Sequence, residues 1–395
     1  MPTPTLLCLN TGSASLKFAL YAHEDCKGTQ LPVAQLRGEI DSHDGQAWLR
    51  WTDAQGQSHR AASAEPRGDI RAEVDALLDK LIAPAGFGPI VAVAHRIVHG
   101  GTRFTSAQRI TTEVRTALDD LRSLAPLHQG PGLSGVDAAI ARLPGVPQIA
   151  CFDTAFHATQ TDLSRRYAIP RAWHDKGFKR YGFHGLSYDA ITHKLPPLLG
   201  KRAHGAVVVA HLGGGSSLCG LRQLRSVVTT MGFTALDGVV MSSRSGAIDP
   251  GLVLHWITEE HLDAQQVTSM LYHDSGLKGV SGVSGDMRTL EASAEPHAQD
   301  AIAVFTASVV HHIGALAADI GGLDALVFTG GIGTHSARVR QEVCSALSWL
   351  GLRIDPQANA TGQLCITHKD SPVPAYALPT DEEGVMSLQA AALLD

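Results

Sequence analysis

The sequence predicts an α/β protein of two related domains, and three observations carry that prediction. The chain has 395 residues, too many for one ordinary hydrophobic core. Short apolar runs alternate along it with amphipathic stretches of helical period. Two segments also repeat each other: 6–20 reads LLCLNTGSASLKFAL and 207–221 reads VVVAHLGGGSSLCGL. Aligned with a one-residue gap, Gly12 meets Gly214, Ser15 meets Ser217 and Leu16 meets Leu218. Each copy is an apolar strand, a Gly/Ser turn and a second strand. Such a turn leaves backbone N–H groups and hydroxyls pointing outward, which is an arrangement that binds phosphate. Two copies point to two half-molecules closing on one phosphate-rich ligand.

The elements follow in order. Residues 5–9 and 15–21 read as a hairpin, and 31–40, 46–51 and 57–61 as short strands with Asp44-Gly45 as a turn signal. An amphipathic helix is predicted over 69–83 and a buried strand over 90–94. A helix over 111–124 opens on threonine caps and places apolar residues at 114, 117, 118, 121 and 124. Another helix spans 133–143, followed by a buried strand at 146–151. A helix over 186–194 is expected to stop at Pro196-Pro197. Strands at 206–211 and 217–222 and helices at 251–260, 263–272 and 298–319 continue the pattern. A buried strand at 325–329 feeds a glycine turn at 330–333 and a helix from 336 to 347. The tail, 381–394, is helical and placed to pack on the first half. No low-complexity linker interrupts the chain.

Composition narrows the partners. Hydrophobic residues make up 44% and the formal net charge is −6, with no basic stripe, which argues against nucleic acid. No apolar run is expected to reach transmembrane length, so no membrane partner is expected. The N-terminus lacks the shape of a signal peptide. Six scattered cysteines without a C-x-x-C pair read as reduced thiols, and the compartment as cytoplasmic.

Several short motifs carry chemistry, each beside a plainer reading. The first turn sets Asn10, Ser13, Ser15 and Lys17 around Gly12, either as a phosphate loop or as an ordinary hairpin. No Walker A sequence occurs. His95 and His99 have zinc-like spacing but lie on a strand without the glutamate of H-E-x-x-H, so Arg96 is the better candidate there. Arg96 ends a buried strand, where ligands collect in such sheets, although a structural ion pair would look the same. Asp153 lies just past the strand ending in Cys151; it would hold Mg²⁺ or orient a nucleophile, or cap the next helix. His184, between Gly182 and Gly185, is a phosphate-contacting histidine or one packed among aromatics. Arg244 among small residues suits a carboxylate or phosphate, or solvent. Gly330-Gly331-Ile332-Gly333 followed by Asp355 resembles a dinucleotide fingerprint, but Ser336 replaces the last glycine. A ribose or phosphate at that helix start fits better than NAD. Glu382 and Glu383 are either Mg²⁺ ligands or the acidic first turn of a helix.

The order of these motifs is more specific than any one of them. NTGSASLKF, HRIVHGG, LAPLH, FDTAFH, RYGFHG, HLGGGSS, MSSRSGAIDP, FTGGIG and PTDEE run from Asn10 to Glu383. Together they closely resemble the acetate kinase family. The resemblance implies two duplicated actin-like (ribonuclease H-like) α/β domains with a cleft between them. It divides the chain into 1–152 plus 383–395 and a nucleotide-binding domain over 153–382. It also implies a homodimer and reversible, direct in-line phosphoryl transfer from ATP to acetate with Mg²⁺ or Mn²⁺, giving acetyl phosphate and ADP. By motif, Asn10, Ser13, Ser15 and Lys17 belong to the first phosphate loop, and Asn10 and Glu382 to the metal. Arg96 and Arg244 hold the carboxylate and the moving phosphoryl group, and Asp153 places metal or acetate. His184 and Arg244 stabilise the transition state, with His128 and His211 in support. Val98, Leu127 and Pro250 shape the methyl pocket beside Arg96. The nucleotide falls to His211, Gly213, Gly214, Gly215, Asp286, Met287, Arg288, Gly331, Ile332, Gly333 and His335. On this reading Arg96→Ala and Arg244→Ala lose turnover far more than fold.

Three departures from the family pattern stand out: His128-Gln129-Gly130-Pro131-Gly132 for H-N-P-P-N, Gly214 for asparagine, and Thr334-His335 after G-I-G. The last two keep a pyrophosphate donor open beside ATP, as pocket size keeps propionate or another short acid open beside acetate. A non-catalytic nucleotide-binding protein of the same fold and a Rossmann dehydrogenase are the remaining alternatives.

Overall fold

Alternate side chains of the first strand, β1 (Thr5–Thr11), enter two different cores, and this strand organises the first half of the chain. Leu7 and Leu9 pack with Val74, Leu77 and Ala139 on one face. Leu6 and Cys8 pack with Val385, Met386 and Ala390 of the last helix, Glu382–Ala391, on the other. A strand buried on both faces has no polar side to show, so its sequence is a continuous apolar run. In this computed structural model the described residues are 3–12, 15–43, 46–63, 69–83, 85–125 and 128–394. Ser13, Leu127 and the Asp44-Gly45 turn signal lie outside them.

The chain divides into two units: Met1–Phe156 with Gly185–His193 and Asp381–Asp395, and His157–His184 with Lys194–Thr380. In the first, β2 (Leu16–Ala22), β3 (Leu36–His43), β4 (Gln46–Asp53) and β5 (Ser58–Ser63) continue antiparallel from β1. On the other side β6 (Ile90–Ile97) runs parallel to β1, β7 (Gln108–Arg109) forms an edge, and β8 (Gln148–Phe152) runs parallel to β6. In the second unit β9 (Val207–His211), β10 (Ser217–Arg222) and β11 (Arg225–Thr229) form the antiparallel part. There β12 (Ala325–Thr329) and β13 (Ala375–Ala377) form the parallel part.

The strand orders β3-β2-β1-β6-β8 and β11-β10-β9-β12-β13 are the same path drawn twice, as the internal repeat implies. The two turns differ by one residue. Thr11 pairs with Leu16 across residues 12–15, whereas His211 pairs with Ser217 across 212–216.

Other differences have local causes. The helix Gly185–Leu199 runs through Pro196 and Pro197 instead of stopping before them. Both prolines fall in its last turn, each removing one intrahelical N–H bond, and Gly200 at φ 55° ends it. Residues 330–333 are not an extended glycine turn but part of a helical turn, Gly330–His335. The strand β11 and the helices Gly276–Ser281 and Met287–Ala292 are additional to the sequence prediction. One helix, Pro296–Asp319, does have the length and apolar composition to cross a membrane, contrary to expectation. It is the central core helix of the second unit, burying Ile302, Phe305, Val309 and Ile313.

Two buried histidines near the end of β6 make the first unit sensitive to acid. Burial pushes the pKa of His95 down to about 4, against a hydrogen bond with Gln148 that raises it, and burial pushes His99 down to about 4. An unfolded chain protonates these rings near pH 6.5, so between pH 6.5 and 4 the unfolded state binds the extra protons. Each ring thus withdraws up to about 3 kcal/mol of stability as pH falls through that window. Melting temperature measured from pH 7 to 4.5 should fall less steeply in His95→Gln than in the wild-type chain. Identical slopes would remove His95 from the account.

Candidate functional site

In the first unit, the ends of β1, β6 and β8 and the start of the last helix bring five polar side chains into one network. The Asn10 amide donates to Glu382 Oε2 at 3.0 Å and to Glu383 Oε1 at 3.1 Å, and its own oxygen accepts from Arg96 Nη1 at 3.3 Å. Arg96 Nε and Nη2 grip Asp153 at 3.0 and 2.6 Å. Asp153 is 1% exposed, so this is a buried ion pair. Burial alone would lower the Arg96 pKa, but Asp153, Glu382 and Glu383 raise it, keeping the guanidinium charged. Burial, then the neighbouring Glu382, raises the pKa of Glu383.

A guanidinium has five N–H donors. Asp153 and Asn10 take three of them, and two remain for an incoming carboxylate. Arg96 is thus both the structural ion pair and the candidate ligand residue. Asp153 faces Arg96 with both carboxylate oxygens.

Lys17 stands directly opposite Asn10 across β1 and β2, so both side chains leave the same face of the sheet. Ser15 closes the turn by accepting the Gly12 N–H at 2.9 Å through its backbone oxygen. Val98 is buried just beyond β6, and the partly buried His128 precedes the helix Gln129–Arg142. His99 Nδ1 accepts from the Gly101 N–H at 2.8 Å, a local loop contact and not a metal-ligand geometry.

No trio of His, Cys, Asp or Glu among the described residues makes a metal cage by itself. Glu382 and Glu383 supply two adjacent carboxylates, hard oxygen donors, while Asn10 turns its amide NH2 to them and its oxygen to Arg96. That set fits Mg²⁺, which takes one or two carboxylates and completes its shell with water and substrate phosphate.

The second unit holds a different group. His184 has φ 58° and ψ 23°, an uncommon backbone for a residue other than glycine. It follows Gly182 at φ 77°, where a Cβ would lie 2.5 Å from the His157 ring. His184 Nδ1 bonds Ser217 Oγ at 2.8 Å, and the ring stacks on His211 with centroids 4.3 Å apart. A Cβ on Gly215 would lie 3.4 Å from His184 Nε2 and 3.8 Å from Arg244 Nη1, so both side chains converge on that glycine. Arg244 Nη1 donates to Ala235 O at 3.1 Å, and burial lowers its pKa. Pro250 is exposed at the first position of the helix Pro250–Thr258.

A cavity of about 700 Å³ opens in the same unit, within the range of small-molecule sites. Eight of the residues expected at the nucleotide line it: Gly213, Gly214, Asp286, Met287, Arg288, Gly331, Ile332 and His335. His211, Gly215 and Gly333 do not. Ser242, Gly285, Glu291 and Ser336 line it too and were not singled out for it by the sequence.

Two expected phosphate donors are used internally. The N–H groups of Ile332 and Gly333 both donate to Leu212 O, at 2.8 and 3.1 Å. Ser216 exchanges hydrogen bonds with Gly213, and Ser217 is spent on His184. The two serine hydroxyls of the second Gly/Ser turn are therefore engaged within the protein. Asp355 does not behave as a dinucleotide ribose ligand either. It caps its own short helix by accepting from Gln357 and Ala358 N–H.

The sequence pattern of the acetokinase family matches residues 5–388. The chain is 45% identical over 383 residues to an acetate kinase of Rhodopseudomonas palustris, covering 96% of this chain and 95% of the relative. An acetate kinase structure from Porphyromonas gingivalis superposes with TM-score 0.86 at 31% identity, covering 100% of each chain. A propionate kinase structure from Francisella tularensis superposes with TM-score 0.88 at 31% identity, covering 98% and 99%.

Proposed function

The chain belongs to the acetokinase family, whose members are kinases that transfer phosphate to a carboxylate, and from that premise we propose that its own reaction is acetate plus ATP giving acetyl phosphate plus ADP. Arg96 is the observation that supports this most directly: it is fixed by a buried carboxylate and retains two N–H donors for another. An acetate oxygen attacks the γ-phosphorus in line, the bond from that phosphorus to the β,γ-bridging oxygen breaks, and ADP leaves. The nucleophile is already an anion, so no general base is needed, and catalysis reduces to positioning and charge neutralisation. In the first unit Arg96 orients the carboxylate, while Lys17 adds positive charge on the same face as Asn10. In the second, Arg244 and the Nε2 side of His184 stabilise charge on the moving phosphoryl group. Glu382 and Glu383, both bonded by the Asn10 amide, would hold Mg²⁺, which when bound neutralises phosphate charge.

The cavity volume favours a nucleotide over pyrophosphate as donor, since pyrophosphate would leave most of about 700 Å³ unfilled. The Francisella propionate kinase supports a second reading for the acceptor, in which another short acid is preferred. Incubation with Mg²⁺, acetate or propionate, and ATP or pyrophosphate, with hydroxylamine trapping of the acyl phosphate, separates these. Product is expected with ATP and acetate. No product with any pair would sink the kinase reading, and product with pyrophosphate alone would sink the donor. The helix Pro250–Thr258 is apolar yet buries no residue, with Leu254 62% exposed, and we assign its cover to a second copy of the chain. The same preparation in the centrifuge should therefore weigh two chains; one chain would refute this.

A further inference from the structure

The largest wholly buried side chain among the described residues is that of Arg340, at 1% exposure, on the helix Ala337–Ala346 behind the 700 Å³ cavity. No carboxylate among the described residues pairs with it. Its partners are neutral oxygens: Nε donates to Asn359 Oδ1 at 2.8 Å and Nη2 to Asn359 O at 3.0 Å. Nη1 donates to Gly333 O at 3.1 Å and Thr334 O at 2.7 Å. Burying a guanidinium that makes no direct ion pair is costly; four hydrogen bonds to carbonyl-type oxygens offset it, with the more distant charge of Glu291 acting in the same sense.

Two of those oxygens belong to the turn Gly330–His335, whose Gly331, Ile332 and His335 line the cavity. One isolated helical turn is unstable, because its end groups lack intrahelical partners. Here the first end is held by Leu212 O, which accepts from Ile332 and Gly333 N–H. The other end is held by Arg340. The next residue, Ser336, ties this wall to the opposite one: its hydroxyl donates to Glu291 Oε1 at 2.5 Å and accepts the Val339 N–H at 3.0 Å. Glu291 lies on the helix Met287–Ala292, which also contributes Met287 and Arg288 to the cavity.

We propose that Arg340 is a positioning residue that sets nucleotide affinity by fixing the cavity wall 330–335 through the carbonyls of Gly333 and Thr334. The proposal rests on the reading of this cavity as the ATP site. Arg340 touches no ligand. It acts through backbone that does, and the planar fork is the property that matters. Lysine in its place keeps the charge but gathers its donors on one atom and cannot reach acceptors on both sides of the fork.

Arg340→Lys is therefore expected to raise the KM for ATP and the Kd for ADP about tenfold, the scale of one charge-assisted hydrogen bond to the wall. The KM for the carboxylic acid and kcat at saturating ATP should stay within about twofold, since no residue of the Arg96 network is disturbed. A residue needed only for folding would lower the active fraction, hence kcat, and leave the KM for ATP alone. Asn359→Ala, which removes one of Arg340's four contacts, the Oδ1 acceptor, and no cavity-lining atom, should shift the same constants in the same direction. It keeps the test available if Arg340→Lys does not fold. ADP binding by calorimetry on the wild-type chain is the control. A wild-type chain that does not bind ADP overturns the ATP reading and this proposal with it. Binding by wild type with unchanged Kd and KM in the variants overturns the proposal alone, as would an equal rise in KM for both substrates.

Discussion

Arg96→Ala is expected to lose both stability and turnover, each by a large amount. At the level of sequence this substitution removes only a ligand residue, and turnover alone should fall. The ion pair with Asp153 changes that expectation. Asp153 is buried and accepts from Nε and Nη2 of Arg96, so truncation leaves a carboxylate without its countercharge in a low-dielectric setting. Breaking a buried pair from one side costs about 3–5 kcal/mol. Turnover should fall by a further factor of about 10²–10³, the usual loss when a preorganised charge is removed from a reacting centre.

The two losses can be separated. In Arg96→Ala/Asp153→Asn the orphaned charge is gone, so much of the stability should return, while kcat should not. Urea unfolding and hydroxamate kinetics on the single and double variants form a double-mutant cycle for this pair. A single variant as stable as wild type would mean that the pair contributes nothing to the fold. Turnover within threefold of wild type would mean that Arg96 does not touch the reaction. For Arg244 the expectation from the sequence is kept, turnover falling far more than stability, and the contact its Nη1 makes is to the neutral Ala235 carbonyl.

What the sequence could and could not reveal follows from the range of each interaction. The period-2 and period-3.6 patterns are local, and they located β1, β2, β6, β9, β10 and β12 and the long helices to within a few residues. The helices Gly276–Ser281 and Met287–Ala292 are six residues each, too short for a period to register. The prolines 196 and 197 were misread because each removes its own N–H bond without obliging the helix to stop at the residue before it. The acidic pair Glu382-Glu383 was visible as a cluster, but its purpose depends on Asn10, some 370 residues away in sequence. The same holds for Arg96 and Asp153: each was a candidate, and only the parallel pairing of β6 with β8 puts them face to face. The serines of the second turn were read as outward donors, since nothing local shows that Ser216 folds back on Gly213 and Ser217 on His184. Arg340 gave no signal at all. An arginine on an amphipathic helix is ordinarily solvated, and only tertiary packing converts it into a buried brace.

Gly185→Ala, the smallest substitution available near these groups, is expected to be nearly as damaging as loss of Arg96. Gly185 opens the helix Gly185–Leu199, and its N–H donates to the Asp153 carbonyl at 3.0 Å. A Cβ at this position would lie 2.0 Å from that same oxygen and 2.8 Å from the Phe156 Cβ. The obstacle is backbone, so no rotamer change relieves it, and either the Asp153 segment or the helix start must move. A shift of Asp153 disturbs its grip on Arg96. A shift of the helix start disturbs His184, the preceding residue, already held at φ 58°. Overpacking of this kind costs about 1–3 kcal/mol. A displacement of about 1 Å at a reacting group costs about 10² in rate. Gly145→Ala is the matched control: φ is 81° there, but nothing lies within 4 Å of the added Cβ. It should cost only the left-handed strain, about 1–2 kcal/mol, and leave kcat unchanged. If Gly185→Ala melts and turns over like wild type, the close approach at Asp153 is not rigid, and the placement of both Asp153 and His184 by this helix start is wrong. If both glycine variants lose turnover equally, the loss reports stability alone.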